Sequence, residues 1–252
     1  MSQRINAIGV IPARYGSTRF EGKVIKDLCG KPVIQHVYER AKKAKMLDDV
    51  IIAADDDRVV EAVEAFGGKV VFTSKQHTTG TDRLAEVVNA LEVKIIVNIQ
   101  GDEPLIHPMV IDDLVRAMQK DKSVAMATVV KKSRSEDEFK SPDVVKAVLD
   151  DENFAMYFSR SPIPTLLRPG SEGAYFYKHL GIYAYSKDFL FTFKKLPPSY
   201  LEKAERLEQL RALENGYKIK AIETKFETVG VDTPADLELA RLILTKEKGN
   251  EE

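Results

Sequence analysis

The sequence lacks most of the features that would assign it to a class at a glance. It has one cysteine, Cys29, so no intramolecular disulfide can form. That fits a reducing compartment. With no obvious histidine partner nearby, Cys29 reads as a buried or incidental thiol rather than a nucleophile. Charge of one sign is also missing: 38 Lys and Arg face 39 Asp and Glu, a formal net charge of −1. Such balance gives no global reason to expect a nucleic-acid or membrane-surface partner. No stretch approaches the ~20 apolar residues of a membrane span. The N-terminal apolar run is broken by Pro12 and Arg14 and is too short for a secretory leader. No internal repeat and no low-complexity block is present. These absences predict a cytoplasmic protein with no nucleic-acid partner and no membrane insertion.

What is present is ordinary globular material: 252 residues, 44% of them hydrophobic. That is enough for one large α/β domain or two small ones. Short apolar runs rich in β-branched residues alternate with helical periodicities. Strands are expected at Ile5–Pro12, Val50–Ala54, Val70–Thr73, around Ile95–Ile99 and at Val124–Val130. Helices are expected at Pro32–Ala44, Asp56–Phe66, Asp82–Leu91 and Pro108–Lys120. This alternation argues for a parallel sheet with right-handed crossovers. The pattern loosens after Lys131. Lys131–Lys140 reads as a polar connector. Val144–Leu149 and Phe154–Phe158 read as paired strands, and Pro162, Pro164, Pro169, Gly170 and Gly173 mark an irregular segment. Leu180–Ala184 resumes a strand, and Lys187–Lys195 is a short helix. Ser199–Asn215 is expected as one helix opened by the capping box Ser199 and Glu202. A late strand, Ile219–Ile222, precedes a last helix with Thr233 as N-cap and Pro234 as its first residue. The polar tail from Lys246 should fray. The whole reads as one α/β domain, 1–252, with a smaller lobe inserted at about 131–200.

Three stretches carry candidate chemistry. The first runs from Lys94 to Pro104. Ile95, Ile96, Val97 and Ile99 form a strand expected to be buried on both faces. Asp102 and Glu103 follow at its carboxyl end, where ligands bind in open α/β sheets. A hard carboxylate oxygen there suits Mg²⁺ held against phosphates. The same acids would also suit the start of the next helix. The second is the loop after the first strand, with Arg14, Gly16, Ser17, Arg19, Gly22 and Lys23. Glycines admit an anion to the backbone, and the basic residues supply charge. It is not a Walker loop, because five residues rather than four separate Gly16 from Gly22 and Val24 follows Lys23. The third is Val229 to Pro234, where Asp232 either answers a helix dipole or serves as a second metal ligand with Asp102. His77 and the hydroxyls near it, Thr79 included, read first as helix-capping and structural. Arg160, followed by Pro162 and Pro164, is a fork able to hold a carboxylate.

Taken together these segments resemble one family. Ile11-Pro-Ala-Arg-Tyr-Gly-Ser-Thr-Arg-Phe-Glu-Gly-Lys23, His77-Thr-Thr-Gly-Thr-Asp-Arg83, Asn98-Ile-Gln-Gly-Asp-Glu-Pro104, Phe158-Ser-Arg-Ser-Pro-Ile-Pro164, His179-Leu-Gly-Ile-Tyr183, Leu207-Glu-Gln-Leu-Arg211 and Val231-Asp-Thr-Pro234 occur in that order. The sequence is similar to the 3-deoxy-manno-octulosonate (Kdo) cytidylyltransferases from about Ile5 to Leu244. The resemblance implies a three-layer, Rossmann-like nucleotidyltransferase fold. It also implies a homodimeric, Mg²⁺-dependent enzyme that makes CMP-Kdo and pyrophosphate for lipopolysaccharide synthesis. By that resemblance Arg14, Arg19 and Lys23 grip the CTP triphosphate, and the backbone around Pro12 and Ala13, with Thr79 and Gln100, meets the cytidine. Asp102 and Asp232 hold Mg²⁺, with Arg14 and Lys23 completing the catalytic set. Gln100, Arg160, His179, Tyr183, Glu208 and Gln209 line the Kdo site. Ser74 departs from the pattern, since members often carry Arg there near the base. Phe20 stands where Leu is commoner. Two other readings share parts of this pattern: a CMP-sialate synthetase or other sugar nucleotidyltransferase, and a non-catalytic CTP-binding protein.

Overall fold

The computed structural model describes residues 5–17, 19–77, 79–165 and 174–249. Thr18, Thr78, Pro169, Gly170 and Gly173, named above, lie outside them. The chain divides into two compact units. The first comprises Met1–Asp112 and Glu227–Glu252, and the second Asp113–Phe226.

The first unit is built on a parallel sheet of β1 (Ile5–Ala13), β4 (Asp49–Ala54), β5 (Val70–Phe72) and β6 (Val93–Asn98). β1 pairs with β6 on one side and β4 on the other, and β5 adds to β4. Helices α1 (Val33–Lys42), α2 (Asp57–Ala65) and α3 (Gly80–Val88) connect these strands. As expected from the apolar run, Ile96, Val97 and Ile99 are fully buried, as are Ile8, Ile11 and Ile52 beside them. Burying each such side chain is worth about 1.5–3 kcal/mol. The long first loop contains more structure than the sequence suggests. A 3₁₀ turn at Lys23–Ile25 leads into a two-stranded ribbon, β2 (Asp27–Leu28) and β3 (Lys31–Pro32). Its turn residues Cys29 and Gly30 both take positive φ, 56° and 83°, as a two-residue hairpin requires. Cys29 thus serves a turn and packs partly against Leu28, Val33 and the last helix.

That last helix, α9 (Pro234–Gly249), closes the unit. Thr233 caps it: its hydroxyl accepts from the Asp236 N–H at 3.3 Å, and the Asp236 carboxylate accepts from the Thr233 N–H at 2.8 Å. The helix is continuous to Gly249. Leu237, Ala240 and Leu244 pack with Leu28, Val33, Leu105 and Val231 in one cluster. That cluster fastens the chain's end to the first loop and to the turn after β6.

The second unit follows α4 (Pro108–Lys120), within which the division falls. Its strands are β7 (Met126–Ser133), β8 (Lys146–Leu149), β9 (Ala155–Ser159), β10 (Phe176–Ser186) and β11 (Lys220–Glu223). β10 runs antiparallel to β7 and β8, β8 antiparallel to β9, and β11 parallel to β7. This unit contains the 131–200 segment and extends on either side of it, because β7 and β11 pair within it. The expected connector 131–140 is partly strand, since β7 runs on to Ser133 opposite Phe176, and partly the short helix α5 (Glu136–Lys140). Helix α6 (Lys187–Lys195) matches its expectation. The expected single helix Ser199–Asn215 is two, α7 (Tyr200–Glu205) and α8 (Leu210–Glu214). Arg206 breaks it by taking a left-handed conformation, φ 55° and ψ 48°.

Candidate active site

β1 and β6 end side by side, and Gly101 follows β6 where no side chain fits. A Cβ there would lie 2.8 Å from the Pro12 carbonyl oxygen. The close approach brings Pro12, Gln100 and Asp102 to one edge of a cleft of about 380 Å³. The first loop forms another edge through Arg14, Gly16, Ser17, Arg19 and Lys23. Gly22 starts the turn that delivers Lys23; its φ is 65°, and the Tyr15 ring lies against it. Tyr15 is itself fixed. Its N–H donates to Asp55 at 3.3 Å, its ring lies under Arg58, and the buried Arg83 holds the other Asp55 oxygen at 2.6 Å.

The third contributor comes from far along the chain. The Val231 N–H donates to the Asp102 carbonyl at 2.8 Å, and Val231 is buried in the cluster beneath. Asp232 is thereby set beside Asp102. The Lys23 ammonium bridges them, at 2.5 Å from Asp102 Oδ2 and 2.7 Å from Asp232 Oδ1. Arg19 reaches the second Asp232 oxygen at 2.9 Å. Burial alone would lower the Lys23 pKa, but the two carboxylates outweigh it and raise the value. For Asp232, burial pushes the pKa up, yet Lys23 and Arg19 bring it below the usual carboxylate range. Asp232 and Lys23 are thus both held in their charged forms. Arg14 adds a guanidinium whose Nη2 is buried without a hydrogen-bond partner among the described residues. A spare buried N–H on a cation is a seat for an anion.

The site residues expected in the first unit therefore divide. Pro12, Arg14, Arg19, Lys23, Gln100, Asp102 and Asp232 meet at the cleft. The Ala13 side chain is buried in the core, and Thr79 spends its side chain as the N-cap of α3, in a capping box with Asp82. His77 bonds Glu86. Gly80, beside Thr79, lines the cleft and was not singled out by sequence.

In the second unit His179 and Tyr183 pack together, ring centroids 5.5 Å apart, with Phe158 edge-on to the imidazole at 4.9 Å. His179 Nε2 meets the Thr128 hydroxyl at 3.0 Å. Burial pushes the His179 pKa down to about 3, so the ring is neutral. Burial likewise raises the Tyr183 phenol well above its ordinary value, with the charges of Tyr185 and Glu208 adding to the effect. Gln209 is buried, and its Nε2 has no partner among the described residues. Arg160 is held by Glu205 and by the Pro142 carbonyl. The sequence offered no sign of Glu205. Lys146 had one faint signal, a charge inside the apolar strand Val144–Leu149.

A parallel sheet whose strand ends meet a basic loop and paired carboxylates defines an α/β nucleotide-binding protein. The chain belongs to the cytidylyltransferase family, whose model matches residues 8–220, and is thus a nucleotidyltransferase. It is 52% identical over 238 residues to the 3-deoxy-manno-octulosonate cytidylyltransferase of Geotalea uraniireducens, covering 91% of this chain and 95% of the relative. Against the protein of the same name from Geobacter sulfurreducens it is 50% identical over 243 residues, covering 93% and 97%. A solved structure of a CMP:2-keto-3-deoxy-manno-octonic acid synthetase complexed with CTP superimposes with a TM-score of 0.91 at 46% identity, covering 96% of this chain and 99% of that one. No described helix is long and apolar enough to cross a membrane.

Proposed function

We propose that this protein transfers CMP from CTP to the anomeric hydroxyl of Kdo, releasing pyrophosphate and supplying CMP-Kdo for lipopolysaccharide synthesis in the cytoplasm. The observation that carries the reading is the convergence of Asp102 and Asp232 on Lys23 in a cleft lined by Arg14 and Arg19. Relatives bearing the Kdo name along nearly their whole length support the choice of sugar.

Both reactants are anions, and the residues answer that problem. Arg14, Arg19 and Lys23 bind the triphosphate and stabilise the charge that develops on departing pyrophosphate. The sugar hydroxyl attacks the α-phosphorus in line. A new O–P bond forms, the bond to the bridging oxygen breaks, and the hydroxyl proton leaves to solvent. Positioning and charge supply most of the catalysis, and no side-chain nucleophile is required. Arg160 takes the sugar carboxylate, and neutral His179, the Tyr183 phenol, Glu208 and Gln209 bond its hydroxyls. Gln100, at the end of β6, serves nucleotide and sugar.

The donor set at the cleft fits Mg²⁺. Two hard carboxylate oxygens already converge on one cation, the Lys23 ammonium, and an Mg²⁺ ion takes one or two such groups together with phosphates. Bound by Asp102 and Asp232, that ion would supply the charge that screens the two anions from each other and polarises the α-phosphate.

A homodimer is part of the proposal. In the second unit Phe158, Phe176 and Tyr183 are buried in the unit's own core, whereas the apolar Met156 and Tyr200 are exposed by 64% and 78%. Light scattering on the purified chain tests the dimer.

The deciding experiment is pyrophosphate release from CTP and Kdo, with Mg²⁺ and with EDTA, beside ATP, GTP and UTP and beside sialate. Release that requires CTP, Kdo and metal together is expected. Turnover with another acid sugar and none with Kdo would move the substrate. CTP binding with no release for any sugar would leave a binding protein.

A further inference from the structure

Lys146 is fully buried on β8, at 0% exposure, yet it has no carboxylate partner among the described residues. Its ammonium instead donates to three backbone carbonyls: Ser141 at 2.8 Å, Val144 at 2.7 Å and Arg160 at 2.5 Å. Three acceptors arranged about one nitrogen demand three N–H groups, so the charged form fills the place. A buried charge carries a desolvation cost that a well-packed apolar residue would avoid. Here burial lowers the lysine's pKa and nearby Arg160 adds to the effect. The chain tolerates that cost at one point, and the three carbonyls indicate what it achieves.

Those carbonyls belong to two segments that meet at Arg160. The turn 141–144 wraps round the ammonium and presents the Pro142 carbonyl, which accepts from Arg160 Nη1 at 2.9 Å. The second segment is Arg160 itself, gripped at its own carbonyl. Glu205 completes the frame from the other side. Its Oε2 accepts from the Arg160 N–H at 2.9 Å, its Oε1 from the Ser159 hydroxyl at 2.6 Å, and its backbone carbonyl from Arg160 Nε at 3.0 Å. That carbonyl is available because Arg206 turns left-handed and ends α7 immediately after Glu205. Arg160 is thus bonded at its N–H, its carbonyl, Nε and Nη1, while Nη2 has no partner among the described residues. A fork held on one edge and open on the other is prepared for a carboxylate.

We propose that Lys146 and Glu205 are positioning residues that fix the Arg160 guanidinium for the carboxylate of the acceptor sugar, and so set the enzyme's demand for a sugar acid. This rests on the functional reading above, in which Arg160 meets that carboxylate. Neither residue touches the substrate. Each acts by removing the freedom that Arg160 would otherwise lose on binding.

The test is steady-state kinetics with CTP and Kdo varied separately, in Lys146→Met, Glu205→Gln, Glu205→Ala, Arg160→Ala and the doubles with Arg160→Ala. Kdo and its carboxamide are compared as acceptors. Lys146→Met and Glu205→Ala should raise KM for Kdo by about tenfold or more, the scale of one hydrogen bond to a charged group. KM for CTP should stay within about twofold, the margin of an untouched site. Glu205→Gln keeps an acceptor oxygen and should fall between wild type and Glu205→Ala. The preference for Kdo over its carboxamide should shrink in each single variant. Each double should match Arg160→Ala alone, since the effect passes through that residue. If Lys146→Met does not fold, the Glu205 series decides the matter. A parallel rise in both KM values, or multiplying effects in the doubles, would overturn the proposal while leaving the sugar site in place. Wild-type KM for Kdo in Arg160→Ala would overturn it together with the sugar site.

Discussion

The two units solve the handling of charge in opposite ways. In the first, basic and acidic side chains are partly exposed and paired with each other: Lys23 with Asp102 and Asp232, and Arg19 with Asp232. In the second, the site residues are neutral, as with half-buried His179 and buried Tyr183, or fixed through backbone carbonyls, as with Lys146 and Arg160. A triphosphate carries several charges and needs counter-charge near its phosphates. A sugar with many hydroxyls and one carboxylate needs directional hydrogen bonds and one oriented fork. The difference teaches which ligand each set of residues is suited to, before any ligand is placed.

The comparison can be broken most forcefully at the carboxylates. Asp102→Asn or Asp232→Asn should lower kcat by about a thousandfold or more, with CTP binding much less affected. Pyrophosphate release and CTP titration read the two separately, and near-wild-type turnover in either variant would defeat the two-carboxylate mechanism. Arg14→Ala comes next. It removes a guanidinium with a buried, unpartnered Nη2 and should raise KM for CTP about 10- to 100-fold while sparing KM for Kdo. The second unit is probed by pH. His179 stays neutral in the folded state down to about pH 3, whereas in the unfolded chain it takes a proton near its ordinary value of 6.5. Between those values the unfolded state binds the extra proton, so stability falls as pH drops, by up to about 1.4 kcal/mol per pH unit. Denaturation midpoints at pH 7 and pH 5 should fall more steeply in the wild type than in His179→Gln, which keeps only the smaller contribution of groups such as His36. The smallest effect belongs to Arg19, 60% exposed at its side chain. Arg19→Ala should raise KM for CTP only a few-fold, because an exposed pair is screened by solvent. An Arg19 effect equal to that of Arg14 would erase the distinction between buried and exposed cations.

Much of this was legible in the sequence where signals are local. The central strand through Ile99, helix α4 from Pro108, α6 from Lys187 and the Thr233 cap each follow from periodicity or capping chemistry within a few residues. What failed to show depends on distant partners. The break at Arg206 carries no glycine or proline; it exists where Glu205 must turn its carbonyl to Arg160. Strand β10 outruns its apolar core because Phe176 to Leu180 pair with β7 across a polar stretch. The meeting of Asp102 with Asp232 is invisible in their spacing, since one backbone bond from Val231 and the cluster beneath it create it. Ala13 and Thr79 are marked by family pattern alone; their side chains lie in the core and in a helix cap, so a contact from Ala13 falls to its backbone, as the pattern implies.

The bridge at Lys23 also has a consequence in time. It joins residues 79 and 209 positions apart, and its last member stands at Asp232, just before the final helix. Contacts of such separation carry the greatest loop-closure cost and form late. During synthesis the ribosome has to release the chain through Asp232 before that residue can reach Lys23. The cleft therefore assembles after both ends of the first unit exist, and no nascent fragment ending at Phe226 contains the complete pair of carboxylates.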